Sequence, residues 1–279
     1  MTADRSEENA LRPTGSRPWV RLLGAVFLAT ALFGCATVGD GAPGADLKTE
    51  SDKTDADRRA AIRLELASAY FERGQFATAL DEVKLSLAAR PDQAAAHSLR
   101  GLIYAAMGEP RLAEEGFRRA LQIAPRDGDI LQQFGWFLCQ ERRYPEADQM
   151  FLQALAQPQY RDTARALLAQ GVCQARAGRW VPAQSSLTRA YELDPSNPVV
   201  AFNLSDVLLR NGDLERARFH AQRLNARPEW VNAQTLWLAA RIEQRAGDRL
   251  AVARFGQRLR ERFPQSAEAK RFDSGQFDD

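Results

Sequence analysis

The sequence predicts an all-α solenoid of six helix pairs. Three observations carry that prediction. Leu, Ala, Arg, Gln and Glu dominate the 279 residues and favour helix throughout. A glycine recurs at Gly74, Gly108, Gly178, Gly212 and Gly247, spaced by 34, 70, 34 and 35 residues; the 70 spans two periods, and Arg142 holds the skipped place. Small residues keep the same period on either side. Ala67, Gly101, Gly135, Gly171, Ser205 and Ala240 precede the turn; Ala79, Ala113, Ala147, Ala183 and Ala217 follow it, with Val252 in the last unit. Three registers sharing one period mark a repeat architecture. Six units follow, over 60–93, 94–127, 128–163, 164–197, 198–232 and 233–265.

Before the repeats, residues 22–34 (LLGAVFLATALFG) carry no charge and follow Arg12, Arg17 and Arg21. A spanning helix needs about 20 apolar residues, so this run suits the core of an export signal instead. It ends in Gly34-Cys35, which resembles the lipobox of bacterial lipoproteins. That resemblance implies a signal peptide over 1–34 and a covalent lipid on Cys35. With Ala36 rather than aspartate next, it implies an outer-membrane destination, lipid-anchored and facing the periplasm. An ordinary secreted chain with a coincidental cysteine, or a buried helix, is the competing reading. Residues 35–59 are rich in Gly, Asp, Thr and Ala without apolar periodicity and read as a flexible tether.

Each unit reads as two helices. In the first, Ile62, Leu66, Ala69 and Tyr70 share one helical face, and Phe76, Leu80, Val83 and Leu87 another. The glycine sits in the turn between them, and Pro91, Pro125, Pro195 and Pro264 close units where a helix cannot continue. Paired small residues let two helices cross closely, while Phe117, Phe151 and Leu187 fill one shared register around the crossing. This pattern of small, aromatic and proline positions resembles the tetratricopeptide repeat. The second unit carries it most fully, in Gly101, Tyr104, Gly108, Ala113, Phe117, Ala120 and Pro125. The resemblance implies a right-handed superhelix with a concave groove, lined by the first helix of each unit. The last unit is the most degenerate, with Val252 and Gly256 where Ala and a bulky residue are expected. Two insertions, near 160 and 232, adjust the stack locally, and residues 266–279 are expected to fray as a disordered tail.

On the expected groove stand Leu64, Phe71, Leu102, Trp136, Cys139, Leu168, Val172, Phe202, Leu209 and Trp237. So many large apolar residues on a face that meets water point to a partner-binding surface. Phe71, Trp136, Phe202 and Trp237 are the expected anchors, since aromatics dominate binding hot spots. For any single one of them, packing between units is the competing role. Arg176, Arg210, Arg241 and Arg245 flank the later units and offer contacts to acidic groups on the partner.

Chemistry is scarce. With 38 basic and 36 acidic residues there is no basic stripe for nucleic acid. Two histidines and three cysteines leave little for a metal site. No Ser-His-Asp set, phosphate-cradling glycine loop or HExxH motif appears. The expectation is a scaffold, not an enzyme, with no metal, no small-molecule substrate and no cofactor besides the lipid. His97 and His220 fall in different units and are expected to serve surface or packing roles. Cys139 and Cys173 lie in neighbouring units, but Cys173 stands two places earlier in its helix's register, so no bridge between them is expected.

Taken together, the lipid-anchor signal, the short tether and the six repeats resemble the type IV pilus biogenesis and stability lipoproteins of the PilF/PilW type, also called pilotins. Residues 63–92, QQFGWFLCQERRYPEADQMFLQALAQPQY (132–160) and NLSDVLLRNGDLERA (203–217) carry the resemblance. It implies binding to the type IV pilus secretin or its assembly partners, and promotion of secretin localisation and multimerisation at the outer membrane; a capped solenoid is itself expected to be a monomer. Two alternatives stay open: an assembly lipoprotein for another outer-membrane complex, and a cell-envelope scaffold coordinating peptidoglycan enzymes.

Overall fold

The computed structural model describes residues 54–277. Cys35 and the apolar run before it therefore lie outside the described residues. Among those described, thirteen α-helices follow in order: α1 Asp55–Glu72, α2 Phe76–Ala89, α3 Ala94–Ala106, α4 Pro110–Ile123, α5 Gly128–Gln140, α6 Tyr144–Leu155, α7 Thr163–Arg176, α8 Trp180–Leu193, α9 Pro198–Arg210, α10 Leu214–Ala226, α11 Ala233–Ala246, α12 Arg249–Arg262 and α13 Ala267–Asp273. A short 3₁₀ turn over Pro228–Trp230 precedes α11. The first twelve helices form six antiparallel pairs, each packing on the next. Each odd-numbered helix from α1 to α9 also touches the next odd-numbered one, whereas no even-numbered helix packs broadly on the next even-numbered one. That asymmetry curves the stack and puts the odd-numbered helices on its inner face.

The turns explain the period. Gly74, Gly108, Gly178, Gly212 and Gly247 all have φ between 72° and 81°, the left-handed region where a side chain is disfavoured. Arg142, at the skipped place, is forced into the same conformation with φ 59°. The crossings explain the small residues. A Cβ on Gly116 would stand 2.8 Å from the Gly101 nitrogen and 3.0 Å from the His97 carbonyl oxygen, so α3 and α4 meet backbone to backbone. Around that contact Phe117 is fully buried, and its ring centre lies 5.4 Å from Phe134 and 5.5 Å from Phe137 of the next pair. The second unit thus lends an aromatic to the third, and a hairpin taken alone has no such core.

Polar clasps fix the neighbours' register. Asp148 of α6 accepts from Gln170, Gln174 and Arg179 at 2.9, 2.9 and 3.0 Å, and Ser186 of α8 donates to Gln174 at 2.9 Å. Arg143 joins Glu114 of α4 to Glu146 of α6, and this pairing holds both carboxyls below their ordinary range. The insertion near 160 brings the Tyr160 ring directly over Gly128, leaving no room there for a side chain. At the insertion near 232, Asn232 caps α11, accepting from the Thr235 nitrogen at 2.9 Å.

Both ends differ from the sequence expectation. The tether expected through residue 59 gives way to α1 at Asp55. Thr54 and Asp57 cap each other's backbone there in a capping box, so the helix starts a turn earlier than its apolar pattern does. The tail expected to fray from 266 instead forms α13, capped by Ser266, which accepts from the Ala269 nitrogen at 3.0 Å. Its Phe272 occupies the space above Gly256 and packs with Leu236, Trp237 and Leu259. The tail's two phenylalanines outweigh its charged, glycine-containing composition because the last repeat has an apolar end to cover.

Candidate functional site

The ten residues expected to line the groove do not all reach one surface. Three of them, Trp136 of α5 with Leu168 and Val172 of α7, line one cleft of about 340 Å³ together with Gln132, Arg165, Ala169, Val199 and Asn203. Trp136 follows Gly135 directly. That glycine lies against the Phe151 ring, where a Cβ would stand 3.0 Å away, so it takes the contact with α6 and leaves the indole to the inner side. The guanidinium of Arg176, at the end of α7, covers the indole at 4.9 Å. Arg165 at the rim pairs with Asp129 and Asp162 at 3.0 and 2.6 Å.

Phe202 lines an adjoining cleft of about 400 Å³ with Pro198, Val199, Asn203 and Trp230. Val199 and Asn203 belong to both clefts, so α5, α7 and α9 present one continuous, largely apolar surface with polar edges. Val199 is 55% exposed, an apolar side chain left open at the middle of this surface. Leu64, Phe71 and Leu102 stand apart from it, half-buried against the core of the first two repeats.

Three expected groove residues are buried instead. Leu209 is 5% exposed, and its side chain forms part of the wall of a different, arginine-lined cleft. Trp237 is 5% exposed because Phe277 stacks on it at 5.1 Å between ring centres. Cys139 is 1% exposed and, against the sequence expectation, is bonded to Cys173, with the Cα atoms 5.7 Å apart. The physical reason lies in the two-place register offset. Equivalent positions on stacked helices point the same way, so they do not meet. Two residues turn a helix by about 200°, which rotates Cys173 back toward Cys139.

Five residues lining the first cleft escaped the sequence reading: Gln132, Arg165, Ala169, Val199 and Asn203. Each stands three or four places from an expected or lining residue, as Gln132 does from Trp136 and Arg165 from Leu168. Extending each apolar anchor by one helical turn along the inner face finds them.

The histidines take no part. His97 is buried, with Nε2 2.8 Å from the Pro91 carbonyl oxygen, and burial lowers its pKa. His220 is wedged edge-on between the Tyr191 and Phe219 rings, at 4.6 and 5.2 Å. Among the described residues no group of three or more His, Cys, Asp or Glu is placed to hold a metal ion. The inner face therefore offers half-buried apolar side chains, a cation-capped indole and ion-paired edges.

Comparison with known proteins agrees with this architecture. Tetratricopeptide repeat profiles match residues 58–128, 138–198 and 174–240. The type IV pilus assembly protein PilF of Pseudomonas aeruginosa is 31% identical over 245 residues, which cover 88% of this chain and 94% of that protein. The crystal structure of PilW, described as a widely conserved type IV pilus biogenesis factor, superposes with a TM-score of 0.71 at 29% identity, over 76% of this chain and 96% of that one. The PilF structure superposes with a TM-score of 0.70 at 25% identity, over 80% and 100%. Identity spread along nearly the whole of both chains, on the same stack of helix pairs, leaves one conclusion: the chain belongs to the tetratricopeptide-repeat family of type IV pilus assembly proteins that includes PilF and PilW.

Proposed function

We propose that this protein is a non-enzymatic scaffold that promotes localisation and multimerisation of the type IV pilus secretin at the outer membrane. Its anchor is a lipid on Cys35, and the repeats face the periplasm. The secretin subunit, or a partner in its assembly, is held in the inner-face surface centred on Trp136, Leu168, Val172 and Phe202. The mechanism is non-covalent: the lipid sets the place, and the surface shields a client segment while the ring assembles. One observation carries this reading: a family member of pilus assembly keeps a continuous apolar surface across α5, α7 and α9, where Val199 is exposed and Trp136, Leu168, Val172 and Phe202 are half-buried beside it. Open apolar surface of that kind is costly to keep in water unless something binds it.

The test is co-purification of the secretin with the tagged protein, alongside the amount of secretin multimer in cells. Trp136→Ala with Phe202→Ala removes two aromatics. A hot-spot aromatic contributes about 2 kcal/mol, so secretin binding is expected to fall roughly thirtyfold or more. Circular dichroism confirms that the variant is folded. Unchanged binding by the folded double variant overturns the groove; no secretin recovered with the wild-type protein overturns the client. A Cys35→Ser variant released from the membrane fraction supports the anchor, and one retained there removes it.

A further inference from the structure

The outer helices of the last repeats carry a charge that the rest of the chain does not share. Helices α10 and α12 hold eight arginines against two glutamates, whereas the whole chain is only +2. The repeat register sorts them. Six places beyond the small residue of each outer helix stand Arg189 in α8, Arg223 in α10 and Arg258 in α12. One turn later, the last two units have Arg227 and Arg262; one turn earlier, Phe219 and Arg254. Equivalent positions on successive outer helices point the same way, so these side chains form one ridge along the outside of the stack. The first unit holds Leu85, Ala89 and Asp81 at the same places, so the ridge belongs to the last three units.

Other arginines nearby are neutralised: Arg216, Arg218 and Arg260 each pair with a carboxylate. Among the described residues the ridge arginines have no such partner. Four of them lie over aromatic rings instead: Arg223 over Phe219 at 5.6 Å, Arg227 over Trp230 at 4.2 Å, Arg258 over Phe255 at 6.0 Å and Arg262 over Phe263 at 5.6 Å. A ring steadies a guanidinium without cancelling its charge. Phe219 is also 51% exposed, so the ridge shows apolar surface beside its cations. That combination matches the interface of a bilayer, where phosphates meet cations and aromatic rings sit at headgroup level. Charges spread over three helices on an outer surface fit anions spread over a plane better than a single acidic peptide.

We propose that this arginine–aromatic ridge on α8, α10 and α12 is a docking surface for an anionic phospholipid membrane. The guanidiniums bind headgroup phosphates, and Phe219 enters the interface beside them. The contact lies on the even-numbered helices, so it leaves the inner surface of the odd-numbered helices uncovered. It depends neither on the client nor on the lipid proposed above.

Co-sedimentation of the full-length protein with vesicles tests the proposal, comparing phosphatidylcholine containing about 30% phosphatidylglycerol with phosphatidylcholine alone. The comparison cancels any contribution of the apolar run over 22–34, which acts alike on both. Each arginine near an anionic surface contributes about fivefold in affinity. Arg189→Gln/Arg223→Gln/Arg258→Gln is therefore expected to weaken binding to the anionic vesicles about a hundredfold, and lysine at the same three places to retain most of it. Circular dichroism confirms that both variants are folded. Arg59→Gln/Arg73→Gln/Arg126→Gln removes the same charge from exposed places off the ridge and is expected to bind within about threefold of wild type. Salt raised to about 0.5 M, which screens charges beyond about 4 Å, is expected to release the wild-type protein from the anionic vesicles. Equal binding of the wild type to both vesicles overturns the proposal, as does an equal loss in the ridge and off-ridge variants. So does a fluorescein-labelled hexa-aspartate peptide that needs the three ridge arginines while the vesicles do not, which makes the ridge a site for an acidic polypeptide.

Discussion

Reducing the bond between Cys139 and Cys173 should loosen the middle of the stack by an amount that follows from its position. The two residues are 34 apart in sequence, so the bond closes a loop that runs from α5 through α6 into α7. Closing a loop of that length removes about 13 cal/mol/K from the unfolded chain, or about 4 kcal/mol at 25 °C. Packing changes little on reduction, because both sulfurs are nearly fully buried and a free thiol behaves as a small apolar group. The effect is therefore on the unfolded state, and Cys139→Ala/Cys173→Ala should reproduce it. Urea unfolding with and without a phosphine reductant measures it. Trp136, three residues from Cys139, serves as the local reporter, since a solenoid comes apart unit by unit. At this size each kcal/mol shifts the melting midpoint by about 2–4 °C, so a fall of about 10 °C is expected. Two results refute the reasoning: thiol labelling of both cysteines in the unreduced, denatured protein, or an unchanged midpoint once mass spectrometry shows the bond reduced.

Two further predictions concern single side chains. His220 is buried, its Nδ1 lacks a hydrogen-bond partner, and desolvation, helped by Arg216 and Arg223, holds its pKa down to about 4. The unfolded chain takes up that proton near pH 6.5 while the folded one resists it. Stability is therefore full above pH 6.5 and falls toward pH 4, by on the order of 3 kcal/mol. Unfolding of His220→Leu should show a shallower loss over that window; an identical slope in both proteins counts against the assignment. Arg142 is exposed and sits at φ 59° where the other turns have glycine, so Arg142→Gly should stabilise the protein by roughly 0.5–1 kcal/mol, after the glycine's greater freedom in the unfolded chain is deducted. Urea midpoints decide it, and a destabilised variant refutes it.

What could be read from the sequence, and what could not, divides along one physical line. Properties that repeat were legible. The turn at Gly74 and its equivalents, the close crossing at Gly101 and the shared aromatic register of Phe117 and Phe151 recur because every hairpin solves the same packing problem. The candidate surface was half legible for the same reason: the period identifies the inner face, and Trp136, Leu168 and Val172 do come together there. Properties that arise between non-equivalent positions were not. Treating Cys139 and Cys173 by their places within a repeat missed that neighbours touch forward face to backward face. Trp237 holds an inner-face register but is covered by Phe277, which no repeat supplies.

Departures from the pattern were nonetheless informative once their volume is followed. Gly256 stands where Phe117, Phe151 and Leu187 stand in earlier units, and in isolation it looks like decay of the last repeat. The structure places the Phe272 ring over Gly256, so the missing side chain is supplied from α13. A terminal repeat has one neighbour and must be capped by something outside the pattern. The gap at Gly256, the aromatics at Phe272 and Phe277 and the arginine-lined cleft they border are therefore one adaptation: the chain closes its own stack. The cap covers that end of the stack, and the inner surface across α5, α7 and α9 lies apart from it.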